Sequence, residues 1–364
     1  MLALFHGLLG FVALNLLAWG ALKLLPEDPI TSTYGDRPFG QVYPGRTRDE
    51  VRELLRETWT RPAVWEPFTD SRERRYEGRY VNVHRAGFRL SRGGAPWPLD
   101  PARANVFVFG GSTTFGYGVA DDETIVSAIQ AALDERLGAG KTACYNFGRG
   151  AYYSSPERIL FEELLAQGAV PRVAVFQDGL NEFAFGAPFL STTLRRHVNT
   201  PLAGAFGTLL EELPVSRLIA RAKAKKTPRR SEAELAAAFD DAPVLDARLD
   251  RYWTNRRLIA AAAGAWGVKP LFVWLPAPTY RYDLRYHLFA DLDFDKNNYS
   301  RFGYARMAER LQREPAGADF VWAADLQDGV REPLYVDQVH FTAAFSRRIG
   351  SAVAASLLER GLLP

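Results

Sequence analysis

Phe107 to Gly118 reads FVFGGSTTFGYG, and the fold turns on how this stretch is read. The run VFVF, Val106 to Phe109, is short, apolar and β-branched or aromatic, as a buried strand requires. It passes straight into Gly110-Gly111-Ser112. Glycines there let the chain turn sharply and present a serine at the strand's carboxyl end. A serine hydroxyl is a poor nucleophile alone and needs an adjacent base. A glycine turn with a serine helix cap is the competing reading. A phosphate loop is excluded, because no Lys follows in Walker spacing.

Outward from this point, strands and helices alternate. A helix is expected over Thr124–Leu137, a second strand over Cys144–Phe147 and a helix over Pro156–Ala166. Further strands are expected at Val173–Phe176, Val268–Leu275 and Phe320–Ala323. A long helix from about Asp246 to Ala265 and a terminal one over Thr342–Arg360 complete the set. Apolar strands alternating with helices imply a parallel sheet covered on both faces. About five such strands predict an α/β, flavodoxin-like doubly wound sheet, with its site beyond the carboxyl ends of the strands.

Three further motifs fall at those ends. YVDQVHFT, Tyr335 to Thr342, sets Asp337 three residues before His340, just ahead of the last helix. That spacing lets the carboxylate turn back on the imidazole and fix its tautomer, leaving the other ring nitrogen for the serine. An isolated histidine is more often structural, but the chain has only five, which makes the pairing informative. NFGRGAYYS, Asn146 to Ser154, follows the second strand, and DGLNEF, Asp178 to Phe183, follows the third. A glycine N–H in the former and the Asn181 amide in the latter can face a developing oxyanion. One such donor is worth about 2.7–4 kcal/mol in the transition state. Each motif alone also reads as an ordinary Asn/Gly turn.

The order Ser, Gly, Asn, Asp-x-x-His resembles the SGNH/GDSL hydrolase superfamily over roughly residues 105–363, the insertion excepted. The resemblance implies Ser112 as nucleophile, His340 as base and Asp337 as its orienter. It further implies an oxyanion hole from the Ser112 and Gly150 N–H groups and the Asn181 amide. It implies neither cofactor nor metal. Three departures stand out. Gly111 replaces the aspartate of the usual Gly-Asp-Ser. Ala151 occupies the place where the second block's glycine is expected, so the donor is Gly150 or Ala151. Glu182 replaces the aspartate that often follows the asparagine.

The remainder is appended to that core. Leu2 to Leu25, LALFHGLLGFVALNLLAWGALKLL, is apolar apart from His6, Asn15 and Lys23. About 20 apolar residues cross a bilayer as a helix, so the stretch reads as a transmembrane anchor. A cleaved signal peptide normally opens with Lys or Arg, absent here; a buried helix is the other alternative. Residues 26–100 are expected as a linker, Pro26 to Gly45, and an accessory module. The module holds an amphipathic helix at Arg48–Trp59 and short strands within Trp65–Arg92. A catalytic domain over 101–364 carries an insertion at about 184–245. Its middle, RLIARAKAKKTPRRSEAEL from Arg217 to Leu235, is strongly basic. It is either a solvated helix and loop or a surface for anionic lipid or acidic glycan.

Net charge is only +3, so no global field argues for nucleic acid. The single cysteine, Cys144, excludes an internal disulfide framework. The expected activity is hydrolysis, or acyl transfer, of carbohydrate or lipid O-acyl esters through an acyl-Ser112 intermediate. The expected setting is a membrane, with the body outside the cytoplasm by analogy with other anchored hydrolases. The insertion as a lipase lid is a further reading, disfavoured by its basic middle. The alternative from a different class is a catalytically idle tethered subunit that binds a glycan or protein.

Overall fold

Hydrophobic alternation along the strands decides which helix covers which face. The structure, a computed structural model, describes residues 2–36, 38–185, 201–223 and 227–363. It opens with helix α1 (Leu2–Lys23), short helices α2 (Pro29–Tyr34) and α3 (Phe39–Val42), and α4 (Arg48–Trp59). Two small hairpins follow, β1 (Ala63–Glu66) with β2 (Asp70–Glu73) and β3 (Tyr76–Glu77) with β4 (Asn82–Val83). The sheet domain contains β5 (Ala104–Gly110), α5 (Ser112–Phe115), α6 (Ile125–Leu137), β6 (Thr142–Asn146), α7 (Ser154–Ala166), β7 (Val173–Asp178) and α8 (Leu180–Ala184). The insertion holds α9 (Pro201–Glu212), α10 (Pro214–Lys223) and α11 (Glu232–Phe239). Then come α12 (Ala242–Ala265), β8 (Lys269–Trp274), α13 (Tyr299–Arg313), β9 (Phe320–Trp322) and α14 (Ala343–Glu359).

The five long strands pair in parallel in the order β6-β5-β7-β8-β9. This is the doubly wound α/β sheet that the alternating pattern predicts, with its strand order reversing beside β5. One face is aromatic: Phe107, Phe109, Tyr145, Phe176, Phe272 and Trp274 are buried against α7, α12 and α13. The other is aliphatic, with Val106, Val108, Val173, Val175, Leu271 and Val273 under α6 and α14. The smaller side chains let α14 come close. A Cβ at Gly350 of α14 would lie 2.5 Å from the Ala128 Cβ of α6, so glycine is required at that crossing.

The stretch from Pro26 to Gly45, expected as a linker, is folded. Pro29 opens α2 at a position where its missing N–H costs nothing, and Gly35, with φ of 66°, closes it. Ile30, Phe39, Val42 and Tyr43 are buried with Val51, Leu54 and Leu55 of α4 against Phe115, Ala120 and Val336. Each fully buried side chain of this kind contributes roughly 1.5–3 kcal/mol. The segment therefore forms a wall over the carboxyl end of β5. Helix α4 matches its sequence pattern, helped by a Thr47–Glu50 capping box. Helix α13 was not anticipated.

Helix α1 is long and apolar enough to span a membrane over Leu4–Lys23, and almost none of it is buried. Its polar side chains turn inward on their own helix. His6 Nδ1 donates to the Leu2 carbonyl and the Asn15 amide to that of Phe11.

Candidate active site

The serine is presented by a turn that admits no side chains. At Gly110, with φ of 158°, a Cβ would fall 2.0 Å from Thr114 Oγ1. Ser112 then starts the single-turn helix α5, which Gly116 ends in the left-handed region at φ of 93°. Long-range donors clamp this turn. Asn146 donates its amide to the Thr114 carbonyl at 2.9 Å, and Thr114 Oγ1 meets Gln177 Oε1 at 2.8 Å. Arg89, wholly buried, donates to the carbonyls of Phe115, Gly116 and Val119 and to the Asp121 carboxylate. No short-range sequence signal marks Arg89 for this task.

The loop before α14 brings Asp337 and His340 to the serine. Asp337 Oδ1 accepts the backbone N–H groups of Val339 and His340, both at 2.8 Å. Its Oδ2 lies 2.6 Å from His340 Nδ1, and His340 Nε2 lies 2.8 Å from Ser112 Oγ. Both side chains are almost entirely buried. Burial alone would push the Asp337 carboxyl up. The His340 ring and the two N–H donors outweigh it and hold the carboxyl below its ordinary range. Chemically, a ring nitrogen at this distance can take the serine proton while the carboxylate steadies the resulting imidazolium.

Two aromatic rings pack on the imidazole. Tyr117 stacks on His340 at 5.2 Å, and Trp59, from the end of α4, meets it edge-on at 5.5 Å. Burial pushes the Tyr117 hydroxyl up to about 12, so it stays neutral beside the ring. In the sequence Trp59 reads only as the end of an amphipathic helix, because nothing local ties α4 to His340.

A hollow of ≈ 20 Å³ is bordered by Gly111, Ser112, Tyr152 and Asn181, room for about one water-sized oxygen. Asn181 Nδ2 donates to the Tyr152 carbonyl at 2.7 Å, leaving its second N–H. A Cβ at Gly111 would lie 2.4 Å from that nitrogen, so glycine in place of aspartate lets Asn181 approach the turn. In the second block, the left-handed residue is Ala151, with φ of 63°; Gly150 is not left-handed. Gly150 instead faces Tyr117, whose hydroxyl would lie 2.8 Å from a Cβ there.

Beneath Asn181 lie three buried acids. Glu182 reaches the Ser154 N–H at 2.6 Å and Arg251 at 3.2 Å, which the extra methylene over aspartate helps it do. Burial first, and neighbouring carboxylates second, push Glu157 and Asp178 well above the usual range.

Beside His340 opens a cleft of ≈ 290 Å³ bordered by Tyr34, Trp59, Asp293, Asn297 and Gln338. Trp59 Nε1 and Asp293 Oδ2 are shielded from solvent without a hydrogen-bond partner among the described residues. Arg230 stands 3.6 Å from that Asp293 oxygen. Among the described residues no cluster of His, Cys, Asp and Glu could hold a metal ion.

No protein-family model matches the chain, and no curated protein matches it. Among solved structures, it is similar to the lipase Lip_vut3 from a goat rumen metagenome. The identity is 14%, over 71% of this chain and 97% of that one, with a TM-score of 0.41. It is similar to a protein of the G-D-S-L family from Desulfitobacterium hafniense at 12% identity, covering 70% and 100%, with a TM-score of 0.36. It is also similar to Est24, a carbohydrate acetylesterase from Sinorhizobium meliloti, at 13% identity, covering 71% and 99%, with a TM-score of 0.33. Scores and identities of this size carry no argument about activity. The resemblance to the SGNH/GDSL superfamily rests on the four motif blocks, which all fall at the carboxyl ends of the parallel strands.

Proposed function

We propose that the chain is a serine-dependent ester hydrolase of the SGNH kind, anchored to a membrane by α1. The observation that carries this reading is the unbroken hydrogen-bonded line Ser112–His340–Asp337, at 2.8 and 2.6 Å. His340 takes the Ser112 proton as Oγ attacks the ester carbonyl. The oxyanion moves into the hollow beside Asn181, facing the Ser112 N–H, the Asn181 amide and the N–H of Gly150 or Ala151. His340 returns the proton to the leaving alcohol, and water then releases the acyl group by the same route. A sugar hydroxyl in place of water turns the same machinery to acyl transfer.

The lining of the cleft supports one substrate class. Tyr34 and Trp59 offer aromatic faces, while Asn297 and Gln338 offer hydrogen-bonding groups. That mixture suits a ring alcohol bearing several hydroxyls, hence an O-acylated carbohydrate. We assign residues 1–25 to the anchor, 26–100 to an accessory region that walls the cleft, and 101–364 to the hydrolase domain with its insertion. A fluorophosphonate probe tests the chemistry: the native chain is expected to be tagged and the Ser112→Ala variant not. A native chain that resists the probe and is silent on short acetyl and long acyl esters would instead indicate a binding subunit.

A further inference from the structure

The insertion plays no part in the chemistry above, yet it packs on α1. Helix α10 lies along α1, and the Val215 N–H donates to Asn15 Oδ1 at 3.3 Å. This contact and the bond to Phe11 occupy the side-chain amide of the most central polar residue of the span. Burial on α1 begins at this point. Leu4 to Leu14 are exposed, whereas Asn15, Gly20, Ala21 and Leu22 are half-buried and Ala18 is buried. Helix α10 starts at Asn15, so it runs along the C-terminal half of α1. Lys23 of α1 and Arg221 and Lys223 of α10 then emerge at the same end.

That end has the marks of a bilayer surface. Lys23 Nζ sits over the Trp19 ring at 5.4 Å, an aromatic and a cation paired as at a headgroup layer. Eight residues separate Asn15 from Lys23, about 12 Å of helix, which is less than half the hydrocarbon thickness of about 30 Å. The hairpin is therefore placed to enter one leaflet only. Phe206, Leu209 and Leu210 of α9 and Ile219 of α10 are exposed at 62%, 63%, 42% and 47%, with no protein covering them. Around the helix, Glu211 lies about 100° beyond Leu210 and Glu212 about 60° before Leu209, so the two acids flank that edge. Helix α10 carries Arg217, Arg221 and Lys223 and no acid. Arg221 Nη1 is shielded from solvent and lacks a hydrogen-bond partner among the described residues, so it is short of one acceptor.

We propose that α9 and α10 form a second membrane-seated element, an interfacial hairpin beside α1 that docks on an anionic leaflet. Phe206, Leu209, Leu210 and Ile219 enter the boundary between headgroups and acyl chains, as the apolar edge of an interfacial helix does. Arg221 and Lys223, the cations at the end of α10, take lipid phosphate oxygens. The proposal rests on α1 being a bilayer anchor. Its consequence is placement of the cleft. Pro29 to Tyr34 and Thr227 border the cleft beside His340. At most about 14 Å of extended chain separates Lys223 from Thr227, and about 21 Å separates Lys23 from Pro29. The cleft therefore opens close to the leaflet, within reach of an ester carried on a membrane-bound molecule.

The test uses the full chain in nanodiscs containing phosphatidylglycerol. Cys144 is buried and its thiol is pushed up by burial, so thiol labelling is confined to introduced cysteines. Leu9→Cys, Leu209→Cys, Glu211→Cys and Ile219→Cys variants each carry an environment-sensitive fluorophore. They are quenched either by aqueous iodide or by nitroxide-bearing lipid, and thermal melts confirm folding. Labels at positions 9, 209 and 219 are expected to lose iodide quenching and gain lipid quenching, while position 211 keeps its iodide quenching. In all-phosphatidylcholine discs, positions 209 and 219 are expected to shift toward water and position 9 to stay. If position 9 is lipid-buried but 209 and 219 are as open to iodide as 211, the hairpin proposal fails and the anchor stands. An unchanged response in phosphatidylcholine overturns the anionic preference. Iodide access at position 9 itself removes the anchor and this proposal with it.

Discussion

Replacing Asp337 by asparagine exchanges one carboxylate oxygen for an NH2 group and removes the charge while keeping the side chain's shape. Oδ1 is retained and can still accept the N–H groups of Val339 and His340, so the loop keeps its shape. The change falls on the other arm, where Oδ2 now faces His340 Nδ1 at 2.6 Å. An amide NH2 there is a donor, and it drives the ring proton from Nδ1 to Nε2. Nε2 then donates toward Ser112 across the 2.8 Å contact and cannot accept the serine proton. Loss of the correct tautomer together with the paired charge is worth about 10⁴-fold in kcat, or about 5 kcal/mol. The assay is kcat on a p-nitrophenyl acetate series, with fluorophosphonate labelling rate as a second readout and a thermal melt as control. Asp337→Asn is expected to melt near the native chain. Asp337→Ala, which strands two buried N–H groups at about 1–3 kcal/mol each, is expected to melt well below it. An Asp337→Asn chain that keeps more than about a tenth of native kcat would refute the reasoning, since His340 would then be oriented by something else.

Two more outcomes follow from the surroundings of the site. Ala151 holds a left-handed φ of 63°, which costs an L-residue about 1–2 kcal/mol, while glycine loses about 0.4–1 kcal/mol through its freer unfolded chain. Ala151→Gly is therefore expected to raise stability by about 0.5–1 kcal/mol in denaturant titrations, with kcat unchanged; destabilisation would mean the Ala151 methyl is a needed packing contact. His287 is held neutral, its Nδ1 accepting from Phe289 N–H and its Nε2 donating to the Gln338 carbonyl, and burial lowers it to about 4. Between pH 6.5 and about 4 the unfolded chain takes up a proton at this histidine that the folded chain refuses, so the contribution of His287 to stability falls with falling pH, by about 3 kcal/mol at about 1.4 kcal/mol per pH unit. Asp337, held low, loses its contribution only below that window. A His287→Gln chain should show a flatter profile over the same pH range, and equal slopes would dismiss His287 as the cause.

Much of the core was legible because its signals are local. Val106 to Phe109, Val173 to Phe176 and Val268 to Leu275 are apolar runs too short for helices and too continuous for a half-exposed strand, and a parallel sheet buried on both faces is what such runs build. Helix α13 escaped because YSRFGYARMAERLQR mixes aromatic, small and charged residues, and its apolar stripe is narrow. Pro26 to Gly45 reads as a linker by composition, yet its prolines and glycines open and close short helices. Turn residues state where a chain bends and not whether it is buried.

By itself, then, the sequence determined the strand–helix rhythm, the glycine turn before Ser112, the Asp337–His340 spacing and the apolar span of α1, because each depends on residues within a few positions of one another. Only the tertiary structure decided that Arg89 clamps the serine turn and that Trp59 and Tyr117 enclose the imidazole. It alone showed that α10 lies on α1, 200 residues away at Asn15 and Val215. Those contacts join segments by shape and charge complementarity across the fold, and no pattern within one segment records which distant partner will meet it.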